Sequence, residues 1–441
     1  MRVIGLQNKY LIGIVMLISI LSASLAGFEL AHFEYQPQIE SMRTELFQLN
    51  STVTGLQSSI SALEANCSML QYENAILNET VEELSKYVYS ISLITDSSYY
   101  IFKQNDTYYA KSGLTGQIEC HNDSCSVVIN YTLTHVPYGG AVLFKPLASS
   151  DDAYYIDGTI NPPNGTTLAS ENRMVTICLN NNSAVQTVVG LYNVRDVQIS
   201  NIRIDGNKGN NATGCGIIIS SNSSYAPNHL IENVVIDNCN GTGIWIQYYP
   251  LNNVVRNVQV FHSEIYNVKV DSADNKLISV ESGWAVLSGF DVRGVDNYFL
   301  NCISYGCGQA GVGYADGNGF SIYGARNMFV GCDAGANFQG GFVLDHAIQT
   351  MLVSCVGRDN GRTNSNARIP GRWGFNLYHS NSTILSGCLS TDENDRSNKT
   401  QDWGFTEGGN CDYNTVTGCN FEGNIVGAVF CLVGVHRWST S

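Results

Sequence analysis

A glycine followed by alternating apolar residues returns through the second half of this chain: Gly216-Ile-Ile-Ile, Gly243-Ile-Trp-Ile, Gly289-Phe-Asp-Val, Gly319-Phe-Ser-Ile, Gly341-Phe-Val-Leu, Gly374-Phe-Asn-Leu, Gly404-Phe-Thr-Glu and Gly427-Ala-Val-Phe. Asn267-Val-Lys-Val fills the one gap, and successive marks lie 22 to 33 residues apart. A unit of 22 residues with short alternating strands has no room for a helix in every repeat. It fits the coils of a right-handed parallel β-helix, each adding ~4.8 Å to a stack. Asn201, Asn233, Asn257, Val280, Cys302, Cys332, Cys355, Cys388 and Cys419 form a second column. Stacked amides there would satisfy one another inside the solenoid, and the five cysteines read as a buried ladder of free thiols. Residues beyond the minimal coil must leave as loops, the longest being Asp359 to Trp373 and Thr391 to Trp403.

The register also defines an outer face. With the glycine as zero, positions one and three point inward, so two and four point out. That face reads Trp245 and Gln247, Lys269 and Asp271, Asp291 and Arg293, Ser321 and Tyr323, Val343 and Asp345, Asn376 and Tyr378, with His346 and His379 at its end. Carboxylates, bases and aromatics on an exposed sheet are what a sugar-binding groove requires. Asp271 and Asp291, about 8 Å apart on a diagonal, suit a carboxylate pair flanking a glycosidic bond. No cofactor is expected; in a lyase, Arg293 or Lys269 would serve as the base, with Ca²⁺ on the aspartates neutralising a uronate. Asp345-His346 beside Tyr323 and Tyr378 is the most compact catalytic candidate. The plain alternative is cross-strand ion pairing, Lys269 to Asp291 and Asp271 to Arg293, which decorates ordinary sheets. Arg358, Arg362, Arg368 and Arg372 fall in one loop, either a wall for acidic sugars or a solvated segment.

The segments Gly139-Gly-Ala-Val-Leu-Phe-Lys-Pro, Tyr154-Tyr-Ile-Asp-Gly-Thr-Ile-Asn-Pro-Pro-Asn-Gly-Thr and Ile202-Arg-Ile-Asp-Gly-Asn resemble the opening of pectin-lyase-like β-helix proteins. Tyr109-Ala-Lys-Ser-Gly-Leu-Thr-Gly-Gln-Ile-Glu is similar to a segment of archaeal surface members. The resemblance covers roughly residues 97 to 441. It implies the fold and a leaning toward polysaccharide lyases, hydrolases, epimerases or glycan-binding tailspikes. The Asn-Thr-Asp, Asp-Asp and Gly-His-Gly set of the hydrolase branch is missing from the repeats, as is the Asp-Pro-His-Asp of uronate epimerases. No zinc or nucleophile-elbow motif occurs, and Gly306-Cys-Gly-Gln-Ala-Gly matches a dinucleotide fingerprint by letter only, without a following helix.

Upstream of the repeats, Tyr10 to Phe28 carries no charge, with Arg2 and Lys9 before it and Glu29 and Glu34 after. This predicts a transmembrane signal-anchor at 10–28, with residues 1–9 cytoplasmic and the rest extracellular; a secretory signal peptide ending near Ala26 is the alternative. From Ile39 to Ile91 apolar residues alternate in steps of three and four, interrupted only by Asn74. That pattern predicts an α-helical coiled-coil stalk over 39–94, with a dimer favoured and a trimer as the alternative. Cys67 on the seam is either an interchain disulfide or a small buried hydrophobe. Residues 97–189 read as a β-rich cap, with a hairpin closed by a Cys120–Cys125 disulfide, and 190–441 as the β-helix. Asn50, Asn66, Asn78, Asn130, Asn211 and Asn240 head glycosylation sequons.

A net charge of −15 repels nucleic acid and excludes it as a partner. The expectation is therefore a membrane-anchored surface protein with an all-β head that binds a glycan, as an adhesin does. An enzyme acting on acidic polysaccharide and a structural envelope component are the alternatives.

Overall fold

The computed structural model describes residues 12–17, 19–20, 40–57, 59–60 and 99–439, except 150–151, 171–174, 223–226, 250, 311–316, 363–371, 395–397 and 432–436. The chain divides into two units, Met1–Ser90 and Ile91–Ser441. In the first unit, residues 12–17, 19–20, 40–57 and 59–60 are helical. Among the described residues no helix is long and apolar enough to cross a membrane. The rest of the expected anchor lies outside the described residues, as do Cys67, Asn74 and sequon residues Asn66 and Asn78. In the described part of the expected stalk, Met42, Leu49 and Leu56 are exposed.

The second unit opens on an antiparallel meander, Tyr99–Gln104, Thr107–Ser112 and Ile118–Asn122. An 11-residue helix follows, Cys125–His135, which buries Cys125, Val128, Ile129, Thr132 and Leu133 in the common core. This helix is an element that the β-rich reading of the segment did not include. The hairpin expected around residues 121–124 is the lead-in to it, where Asn122 Oδ1 accepts the Ser124 N–H (2.8 Å). Cys120 and Cys125 are free thiols, so the expected disulfide is absent. Of the sequon residues, Asn50 and Asn130 are exposed and Asn240 is half-buried. Asn211 is buried, its Oδ1 accepting the Ser183 N–H and its Nδ2 donating to Asn207 O.

Beyond the cap the chain winds as a parallel β-helix whose coils pair in three ladders. The first runs from Gln198–Ser200 to Thr415–Thr417 and on to Arg437–Ser439. The second runs from Arg203–Asp205 to Leu389–Thr391, sharing the long strands Val254–Phe261 and Lys276–Gly283 with the first. The third is a separate ten-stranded sheet from Thr187–Tyr192 to Gly427–Cys431. The repeat glycines open the strands of this third ladder. A Cβ on Gly289 would overlap Ser304 Oγ, and one on Gly374 would overlap Ser390 Oγ, both on the second ladder. Two walls of the solenoid meet at this corner without space for a side chain, and that contact dictates the repeat. One residue further on, Phe290, Phe320, Phe342 and Phe375 stack inside at 4.5, 4.7 and 5.1 Å between ring centroids.

The second column separates into two. Val280, Cys302, Cys332, Cys355, Cys388 and Cys419 stand in register, and the cysteines are free. Asn201, Asn233 and Asn257 sit one position earlier, with left-handed φ of 57°, 54° and 53°, at the corner between the first two ladders. Asparagine serves there by tolerating that backbone, outside the core. The buried amides belong to other positions. Asn253 Nδ2 donates to Asn275 Oδ1 (2.8 Å), Asn275 Nδ2 to Asn297 Oδ1 (3.0 Å), and Asn297 Nδ2 to Asn327 Oδ1 (3.2 Å). Asn337, Asn360 and Gln401 form a second such row at 3.1 and 3.0 Å.

Two outcomes follow for stability. Asn275→Ala strips Asn253 of the acceptor for both its backbone N–H and its Nδ2, and should cost about 2–4 kcal/mol in chemical denaturation. Asn257→Ala, at the exposed corner, should cost roughly 1 kcal/mol or less. His229 is buried with its Nδ1 accepting the Val197 N–H, and burial pushes its pKa down to about 4. The unfolded chain then takes up this proton first as pH falls. Stability held above pH ~6.5 should decline by about 3 kcal/mol toward pH 4, and His229→Gln should flatten that part of the denaturation-versus-pH profile.

Candidate functional site

Strand pairing places Trp245, Lys269, Asp291, Ser321, Val343 and Asn376 in one column on the third ladder, one residue per coil. The alternation expected from sequence therefore holds, with Phe290 and Val292 inside and Asp291 on the other face of the same strand. Asp345 pairs with Tyr378 in the neighbouring column.

The first half of this strip is a charge cluster built on aromatic rings. Lys269 Nζ lies 4.7 Å from the centroid of the Trp245 ring and 5.7 Å from that of Tyr266, a residue outside the outward positions read from sequence. Its carboxylate partners are Asp271 at 3.5 Å and Asp291 at 4.0 Å. Trp245 Nε1 donates to Asp271 Oδ2 (2.7 Å). Arg293 donates from Nε to Asp291 Oδ2 (2.9 Å) and lies 5.0 Å from the Tyr323 ring centroid. The anticipated Lys269–Asp291 pair thus forms, whereas Arg293 pairs along its own strand with Asp291, the expected Asp271 partner being held by Trp245 and Lys269.

Asp291 is 0 % exposed, and its Oδ1 has no hydrogen-bond partner among the described residues. Burial pushes its carboxyl up, against the opposing pull of Arg293 and Lys269. In turn the carboxylate raises the Arg293 guanidinium further. Both aspartates face cations, which does not suit Ca²⁺ coordination. Among the described residues no group of three or more His, Cys, Asp or Glu is arranged to hold a metal ion.

The second half of the strip holds two imidazoles at the turn that closes the third ladder. His346 Nδ1 and Asp345 Oδ1 are 2.6 Å apart, so this ring carries a proton on Nδ1 toward the carboxylate. His379 Nδ1 accepts the Asn410 N–H (3.2 Å), which places its proton on Nε2. The rings stack at 4.8 Å, with Tyr378 edge-on to His379 at 4.2 Å. Both histidines adopt left-handed φ, 57° and 50°. Two imidazoles thus stand stacked on the outer edge, beside a carboxylate and a phenol. Sequence named the four residues, but not Asn410, whose role lies in its backbone.

Of the four arginines of the expected loop, three are described. Arg358 belongs to the second ladder and pairs with Asp333 (3.0 Å). Arg362 and Arg372 flank the loop; burial lowers the Arg372 pKa, and its guanidinium lies 5.9 Å from the Trp373 ring centroid. Arg368 lies outside the described residues.

Comparison with known proteins agrees with this geometry at the level of fold. Residues 187–356 match the family model for the right-handed β-helix region. A tailspike protein from a bacteriophage of Escherichia coli O157:H7 superposes with a TM-score of 0.56 at 12% identity, covering 70% of this chain and 44% of the tailspike. The A-module of a mannuronan C-5 epimerase from Azotobacter vinelandii gives 0.53 at 14%, covering 73% and 96%. Gene product 12 of bacteriophage phi29, in its pre-mature form, gives 0.51 at 11%, covering 73% and 50%. This chain thus spans less than half the length of the first tailspike. No curated protein matches its sequence. The chain folds as a right-handed parallel β-helix, the fold that its sequence resemblance implied.

The tautomers at the edge are directly measurable. Long-range proton–nitrogen correlation spectra should give His346 as the Nδ1–H form and His379 as the Nε2–H form. Asp345→Ala should move His346 toward Nε2–H and leave His379 unchanged.

Proposed function

We propose that the head is a glycan receptor, holding a polysaccharide along the outer face of the third ladder. The observation that carries this reading is the continuous outward strip from Trp245 to His379, in which one coil after another offers an aromatic ring, a cation or a carboxylate. Aromatic faces suit the apolar faces of sugar rings, and Arg293 and Lys269 suit carboxylates or hydroxyls. The similar fold from Azotobacter is, by its name, an epimerase of mannuronan, which supports a polysaccharide as the ligand class. The uncharged stretch 10–28 and the heptads of 39–94 support presentation at a cell membrane, with the chain crossing once, the head outside and the stalk joining copies.

A second reading, turnover of the bound glycan, is favoured by one observation: the rings of His346 and His379 stack at 4.8 Å on the outer edge, beside Asp345 and Tyr378. An imidazole that accepts a proton is what the base of an elimination or of a water-activating hydrolysis requires.

One experiment separates the two. The protein is titrated with acidic and neutral polysaccharides while reducing ends and unsaturated-uronate absorbance are followed. Saturable binding without product is expected, weakened at least tenfold by Trp245→Ala and by Tyr378→Ala, and unchanged by Tyr298→Ala on the first ladder. Product abolished by His346→Ala establishes the enzyme reading instead. Neither binding nor product on any polysaccharide overturns both.

A further inference from the structure

The outer face of the second ladder carries an aromatic cluster separate from the strip on the third. Four rings meet there over three successive coils: Phe261 and His262, then Trp284, then Tyr305. His262 lies parallel to the Trp284 indole at 5.2 Å between ring centroids, Phe261 is tilted against it at 5.7 Å, and Tyr305 meets it edge-on at 4.9 Å. Gly283 makes room for two of them, since a Cβ there would lie 3.1 Å from both Phe261 and Tyr305. The indole remains 41 % exposed. Its backbone is the unexpected part. At the corner that ends this ladder the chain takes a left-handed residue, supplied by Asn238, His262, Trp284 and Gly306 at φ of 52°, 52°, 56° and 62°. Asparagine or glycine meets that need readily, whereas a bulky indole is held against its preference. Strain kept at an exposed ring is a pointer to function.

We propose that this cluster binds a neutral sugar, one or two pyranose rings seated on the Trp284 indole. An indole face suits the apolar face of a pyranose, and the groups at its border suit hydroxyls. Glu281 accepts the Tyr305 hydroxyl on one oxygen (2.7 Å) and the Gln259 amide on the other (2.7 Å). Asp237 holds His262 Nδ1 (2.9 Å) and a guanidinium nitrogen of Arg203 (2.7 Å). Each carboxylate is thereby fixed in place with lone pairs left for a hydroxyl. Charge selects against an acidic sugar. Arg203 is taken by Asp237 and Lys208 faces Glu264 at 3.6 Å, while Glu281 pairs with no cation among the described residues. Size selects against a protein partner: three coils at ~4.8 Å spacing make a platform about 10 Å long, far short of the roughly 800 Å² per partner of a stable interface. This site does not rest on the glycan reading of the third ladder, from which it differs in wall, in charge and in the sugar it suits.

Calorimetric titration of the full-length chain in detergent tests it, with cello-, malto-, manno- and galacto-oligosaccharides as neutral probes and an oligogalacturonate as the acidic one. One neutral series should bind, with affinity that stops rising beyond the disaccharide. Trp284→Asn supplies a residue that the corner accepts, so the melting temperature should hold or rise while that binding weakens at least tenfold. The same loss should appear in a Trp245→Ala background, which disables the strip on the third ladder. Neutral sugar binding that survives Trp284→Asn but falls with Trp245→Ala would place the ligand on the strip, and overturns this proposal while supporting the other. Binding of no neutral series overturns it too. So does a loss of oligogalacturonate binding in Trp284→Asn, which would make the cluster a site for acidic sugars.

Discussion

Parallel pairing between neighbouring coils is the interaction on which everything else rests. Each coil is bonded only to the coil before and after it, so position along the stack is set locally and repeated. Backbone hydrogen bonds hold the walls, and the buried amides of Asn253, Asn275, Asn297 and Asn327 lock one corner, each Oδ1 of the last three also accepting the backbone N–H of the preceding asparagine. A polar group inside a solenoid is tolerated only when such a chain of partners is complete. The same register that satisfies these amides fixes which side chains share a column outside.

Much of this was legible in the sequence, because a strand alternates and a coil repeats. The glycine marks located the third ladder, and counting two and four from them gave the outward residues Trp245, Lys269, Asp291 and Asn376 that the pairing brings together. What was not legible turned on offsets of one residue and on contacts across the chain. Asn257 and Val280 look like one column in sequence but lie in adjacent positions, because the corner backbone consumes a left-handed residue before the inward one. Asp271 could pair with Lys269 or Arg293 on charge alone; the indole N–H of Trp245 decided it. Cys120 and Cys125, close in sequence, are separated by the start of a helix.

The two halves of the candidate site differ in how their charges are held. At Asp291 the carboxylate is removed from water and compensated by two cations, an arrangement that holds geometry at a cost in solvation. At Asp345 and His346 the pair is exposed and its hydrogen bonds assign protons without burying them.

Cys302, Cys332, Cys355 and Cys388 are buried and reduced in a vertical row, each within reach of the next coil. Burial and neighbouring thiols drive the middle members toward the protonated form, which is inert toward oxidants. Their protection is thus a product of assembly and not of the residues themselves. Until the coils close, the nascent chain carries thiols at intervals that would accept many wrong pairings. A head secreted into an oxidising space would have to outrun that chemistry, so the speed with which one coil templates the next becomes a redox safeguard as well as a folding property.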